Sequence, residues 1–161
     1  MNKIVIFGNS GSGKSTMAKE LSVKYKLSHL DLDTLAWLPT SPPRRKSPCE
    51  SEKEIVKFIK RNTGWIVEGC YSDLLEIAMR ESDKIIYMNL SIEKCISNAK
   101  KRPWEPHKYT SKEAQDANLE MLINWISQYT ERSDDFSKKS HEALYEQYKG
   151  LKEMITSNRD F

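Results

Sequence analysis

The residues best able to do chemistry stand together near the amino end, as Gly8-Asn9-Ser10-Gly11-Ser12-Gly13-Lys14-Ser15-Thr16. They fit the pattern G-x-x-x-x-G-K-[ST] at every fixed position. Glycines at these spacings let a chain wrap so closely that successive backbone N–H groups converge on one anion. The adjacent lysine adds a compact positive charge, and the hydroxyl after it suits a hard divalent cation. Such a loop binds a polyphosphate: Lys14 would bridge its β- and γ-phosphates, Ser15 would ligate Mg²⁺, and Thr16 would support the α-phosphate side. Gly8 through Thr16 are thus predicted to hold Mg-ATP.

A loop of this kind works only between a buried strand and a helix whose N-terminus faces the phosphate. Lys3-Ile4-Val5-Ile6-Phe7 is a nearly continuous β-branched and aromatic run, the pattern of a strand covered on both faces of a parallel sheet. Behind the loop, Met17, Ala18, Leu21 and Tyr25 recur at helical spacing and predict a helix over Lys14 to Tyr25. The alternation continues, with strands predicted at 29–32, 65–67 and 84–90 and helices at 51–62, 72–79 and 92–101. One longer helix is predicted over 112–129, then an edge strand at 154–156. Strands alternating with helices imply right-handed βαβ crossovers. Four prolines between Pro39 and Pro48 mark a mobile loop rather than a linker, so residues 1–161 are expected to form one domain.

With these motifs the chain resembles the P-loop kinases built like nucleoside monophosphate kinases, shikimate kinase and gluconate kinase. Leu30-Asp31-Leu32-Asp33 lies where that group carries its second motif. The resemblance implies that Asp31 holds a water of the magnesium shell and that Asp33 orients or deprotonates the acceptor hydroxyl. Glu68, closing the run Trp65-Ile66-Val67-Glu68-Gly69, takes the Walker-B-like position and would reach the metal's water shell. Arg102 stands where the family enters its lid, expected over about 102–132, and Arg132 where related kinases return an arginine to the site. Both would stabilise charge in the transition state. Arg44 and Arg45, in the proline-rich loop, are expected to hold an anionic acceptor.

Asp33, Trp37, Pro39 and the Trp-Ile-Val-Glu-Gly-x-Tyr segment together are similar to the adenylate-kinase-related group labelled DNA topology modulation proteins. The implied fold is a three-layer α/β/α P-loop NTPase with a five-stranded parallel sheet in the order 2-3-1-4-5. The implied activity is transfer of the γ-phosphoryl of Mg-ATP to a small acceptor, a nucleotide, sugar acid or similar. The rival is a regulatory protein of the topology-modulation type that binds nucleotide and hydrolyses it slowly. Adenine is expected near Ser157 to Arg159, with the family's last helix shortened or missing. Departures from the nucleotide-kinase pattern are visible: Cys70-Tyr71-Ser72 stand where Asp-Gly-Phe-Pro-Arg would continue.

Charge and composition narrow the classes. Of 161 residues 26 are basic and 23 acidic, giving a net charge of +3 with no basic tail, so a nucleic-acid surface is not expected. A mean hydropathy of -0.69 argues against a transmembrane chain. Cys49, Cys70 and Cys95 show no metal or disulfide spacing, and Met1 to Ser10 show no export signal, so the cytoplasm is the expected compartment. His29, His107 and His141 lack metal-binding spacing and are expected on the surface or satisfied inside. No N-K-x-D segment supports a GTPase, and composition leaves monomer and dimer open.

Overall fold

The computed structural model describes residues 2–38 and 44–158. In chain order the elements are β1 (Lys3–Gly8), α1 (Lys14–Tyr25), β2 (Ser28–Asp31), a 3-10 turn at Leu32–Thr34, β3 (Trp37–Leu38), β4 (Arg44–Arg45), α2 (Pro48–Arg61), β5 (Trp65–Gly69), α3 (Ser72–Met79), β6 (Lys84–Met88), α4 (Ile92–Lys101), α5 (Lys112–Ala117), α6 (Leu119–Ser127), α7 (Lys138–Gln147) and β7 (Leu151–Ile155). Five strands form a parallel sheet in the order β2-β5-β1-β6-β7. Counted over that sheet alone, this is the expected 2-3-1-4-5.

Side chains alternate across the sheet and build two cores. Val5, Phe7, Val67, Ile85 and Tyr87 face Ile55 of α2, Leu74 and Leu75 of α3 and Leu144 of α7. Ile4, Ile6, Ile66 and Ile86 face Met17 and Ala18 of α1, Cys95 and Ala99 of α4 and Ile126 of α6. The two clusters are the two outer interfaces of an α/β/α sandwich.

Four features differ from expectation. The helix expected over 112–129 is two helices divided at Asn118, whose side chain turns to the Tyr109 hydroxyl at 2.9 Å. α7 was not anticipated, because its polar composition hides the few residues it buries, His141 and Leu144. The short antiparallel ribbon β3–β4 was also not anticipated; it pairs Trp37 with Arg45 and Leu38 with Arg44. The edge strand starts three residues earlier than the sequence predicts, at Leu151. Half of the Pro39 to Pro48 loop, residues 39–43, lies outside the described residues, as does Arg159 of the segment expected at adenine.

Candidate functional site

The loop after β1 turns on two residues that only glycine fills without strain. Gly11 has φ 78° and Gly13 has φ 90°. At Gly11 a Cβ would run into the Cys95 carbonyl of α4, so the loop lies hard against that helix. Asn9 is turned inward, its amide donating to the Ile126 carbonyl at 3.2 Å, and Ser12 is wholly buried.

Gly13 caps α1 without a side-chain hydrogen bond, and the first turn of α1 carries no acid. Among the described helices the others each have a serine cap, an acid in the first turn, or both. α1 thus begins with its amide donors and the positive end of its dipole uncompensated by side chains, which is what an oxyanion needs. Lys14 bends back so that Nζ donates to the Asn9 carbonyl at 2.8 Å.

The parallel register carries the acids to this point. β5 lies between β1 and β2 and sets Glu68 beside Ile6 on one side and Asp31 on the other. The Ser15 hydroxyl donates to Glu68 Oε1 at 2.8 Å, and His29 Nε2 lies 3.3 Å from the same oxygen. Burial, then the charges of Glu68 and Asp33, push the Asp31 carboxyl above its usual range, against the pull of Lys108. A hydroxyl and two clustered carboxylates form a hard oxygen donor set that fits a hydrated Mg²⁺.

Asp33 sits one short turn beyond β2. Its Oδ1 accepts from the Tyr71 hydroxyl, which itself accepts from the Trp37 indole N–H at 2.9 Å. Its Oδ2 accepts from Lys108 at 3.0 Å. Burial works against the Asp33 charge, but the Lys108 ammonium and the Tyr71 hydrogen bond win and hold the carboxyl below its ordinary value. Lys108 also reaches Asp31 at 3.3 Å and Glu105 at 3.5 Å, and these carboxylates keep it firmly protonated despite burial. Sequence reasoning missed Lys108. It matches no motif, and only the fold brings it across 75 residues to Asp33.

A cleft of about 390 Å³ is lined among others by Lys14, Ser15, Thr16, Asp33, Glu68, Arg102 and Lys108, with Asp31 behind its wall rather than on it. Ser10, Gly11 and Gly13 line it too, whereas the inward-turned Asn9 and Ser12 and the buried Gly8 do not. Arg102 enters from the end of α4 and is paired with Glu105 at 3.2 Å. The other expected arginines lie apart from the cleft. The Arg132 guanidinium lies over Trp125, 3.6 Å from the ring centre, with Asp134 at 3.8 Å. Arg45 stacks over Tyr71 at 4.8 Å and bonds Asp73 at 3.2 Å, while Arg44 is exposed on the ribbon. Asn158, beyond β7, donates to the Ser12 carbonyl at 3.2 Å and also lines the cleft.

A parallel α/β/α sheet whose first strand feeds a glycine loop and an uncapped helix defines the P-loop NTPase fold. Residues 4–120 match the family model described as AAA domain, and the chain belongs to that family. Solved structures share the fold, two of them over nearly the whole chain. One is deoxyadenosine kinase from M. mycoides with bound dATP, at 18% identity over 98% of this chain and 92% of that one, TM-score 0.51. The other is an uncharacterized protein from Eubacterium ventriosum ATCC 27560, at 15% identity over 98% and 89%, TM-score 0.50. In sequence, 66 residues are 38% identical to the uncharacterized protein YqaC of Bacillus subtilis (strain 168), 41% of this chain and 36% of that protein. The chain therefore spans about a third of the curated relative it matches.

Proposed function

We propose that the protein is a P-loop phosphotransferase that moves the γ-phosphoryl of Mg-ATP onto the hydroxyl of a small acceptor held at Asp33. The observation that carries this reading is the convergence in one cleft of the uncapped start of α1, the Ser15–Glu68 hydrogen bond of 2.8 Å, and Asp33 bridged to Lys108 at 3.0 Å. An ATPase needs the first two. An ionised carboxylate with a lysine on it is what a hydroxyl acceptor adds. That a chain of the same fold is a deoxyadenosine kinase supports the reading.

Each group then has a task. The loop amides and Lys14 bind the β- and γ-phosphates, and Ser15, Asp31 and Glu68 hold the metal and its waters. Mg²⁺, when bound, neutralises charge on the bridging oxygens. Asp33 accepts the hydrogen bond of the attacking hydroxyl through lone pairs left free by Tyr71 and Lys108. Its lowered pKa makes it a weak base, which suffices because phosphoryl transfer through a loose transition state needs the nucleophile aligned more than deprotonated. Lys108 and Arg102 bring positive charge to the same space. In this reading residues 1–161 act as one domain, with the segment from Arg102 to Arg132 as its lid.

The test is acceptor-stimulated ADP release by the purified protein with Mg-ATP. Stimulation by at least one alcohol, abolished in Asp33→Asn, is the expected result. The same basal release with every acceptor, unchanged in Asp33→Asn, would instead define an ATPase.

A further inference from the structure

We infer that Asn98 and Asn158 are positioning residues of the phosphate loop, a paired latch that fixes which way its peptide units face and so sets the affinity for a polyphosphate. This role rests on the triphosphate-binding part of the proposed function and is independent of the acceptor. It gives Asn158, which falls in the segment expected at adenine, a task at the phosphates instead.

The loop needs a latch because of its glycines. The peptide units on either side of Ser12 are flanked by Gly11 at φ 78° and Gly13 at φ 90°. Glycine takes positive and negative φ about equally readily, so the backbone itself offers little resistance to a half-turn of these units. A trans peptide sets its C=O and N–H on opposite sides. A half-turn of the Ser12–Gly13 unit would therefore put a carbonyl oxygen where a phosphate needs an amide hydrogen.

Two side-chain amides oppose that turn. Asn98 Nδ2 donates to the Gly11 carbonyl at 2.9 Å, and Asn158 Nδ2 donates to the Ser12 carbonyl at 3.2 Å. The pair is joined, since Asn98 Nδ2 also donates to Asn158 Oδ1 at 2.6 Å. With the Ser12 carbonyl held by Asn158, the Gly13 N–H must face the other way. It donates to no backbone carbonyl among the described residues, and Gly13 lines the cleft.

Each amide is carried by an element anchored elsewhere. Asn98 stands on α4 one turn beyond Cys95, the residue whose carbonyl lies against Gly11, and one turn before Arg102 of the cleft. Asn158 follows β7, whose Ile155 carbonyl accepts from the Asn89 N–H at 2.7 Å. A Cβ on Gly13 would come within 2.7 Å of Asn158 Nδ2, so the latch closes directly on the loop.

The experiment is isothermal titration with two probes, Mg-ATP and Mg-tripolyphosphate, the second having phosphates but no base. Asn158→Ala and Asn98→Ala leave the charge unchanged, so they read orientation rather than field. Each is expected to bind both probes about tenfold more weakly, by the same factor, as the loss of one or two hydrogen bonds implies. Because Asn98 braces Asn158, the double variant is expected to lose less than the product of the two single losses. Urea melts without ligand are expected to stay near wild type for Asn158→Ala, whose residue is exposed. A loss confined to Mg-ATP would show that Asn158 touches the base and would overturn the inference. Unchanged affinity for both probes, a loss accompanied by collapse of the melt, single losses that simply multiply, or a wild type that binds Mg-ATP but not tripolyphosphate would each overturn it too. A wild type that binds neither probe is the separate result that removes the triphosphate reading beneath it.

Discussion

Asp33 carries two donors on one carboxylate, and the carboxylate and its lysine each make a prediction. Tyr71 fixes Oδ1 and Lys108 fixes Oδ2. Replacing the carboxylate by Asp33→Asn keeps the size and removes the charge. It is expected to lower acceptor-dependent turnover by about 10²-fold or more while leaving Mg-ATP affinity within a few-fold, as read by steady-state kinetics and titration calorimetry. Lys108→Met removes a cation from the same space and is expected to lower kcat by about 10²-fold, the usual cost of losing one charged stabilising group. Unchanged kcat in that variant would show that Lys108 adds nothing to the chemical step. At this scale the sequence showed what is contiguous. Lys14 and Ser15 are legible because they stand in one contiguous motif, and Asp31, Asp33 and Glu68 through the resemblance to kinases that carry acids at these places. Tyr71 and Lys108 act through contacts formed only in three dimensions, and no spacing announces them.

The helices and strands are held to the site by polar links that composition does not display. His141 of α7 is fully buried; its Nε2 lies 2.8 Å from the Cys70 carbonyl and its Nδ1 2.7 Å from the Tyr129 hydroxyl. Since a carbonyl only accepts, Nε2 carries the proton, Nδ1 accepts from Tyr129, and Tyr129 accepts from Tyr87 at 2.9 Å. This chain ties α7 and the end of α6 to the turn that carries Cys70 and Tyr71. Burial pushes the His141 imidazole down to about 4 from 6.5.

A depressed histidine pKa means that the unfolded chain takes up a proton first. The stability contributed by neutral His141 is complete above pH 6.5 and is lost as pH falls toward 4, amounting to about 3 kcal/mol over that window. The stability difference between wild type and His141→Gln is therefore expected to shrink as pH falls from 6.5 to 4 in urea melts; a constant difference would contradict the assignment. Gly11 makes the complementary prediction. Gly11→Ala forces a Cβ at φ 78° toward the Cys95 carbonyl and is expected to cost about 2 kcal/mol or more, measured by the same melts. The division of the expected long helix at Asn118 shows the limit of periodicity. The apolar spacing runs on through the break, while the Asn118 side chain bonds the Tyr109 hydroxyl across it.

In the whole molecule, the order β2-β5-β1-β6-β7 puts the phosphate-binding strand at the centre and the acids on the strand next to it and the one beyond. The parallel sandwich followed from alternation, since crossovers of one hand leave few arrangements, and the strand order from the resemblance to P-loop kinases. The place of Lys108 did not follow, because only the fold brings it to Asp31 and Asp33. Isothermal titration of Mg-ATP into wild type and Lys14→Ala is the most direct measurement of whether this assembly grips a triphosphate. One saturable site in the wild type, weakened at least a hundredfold by the substitution, is predicted. No heat in either protein, or equal affinity in both, would contradict it.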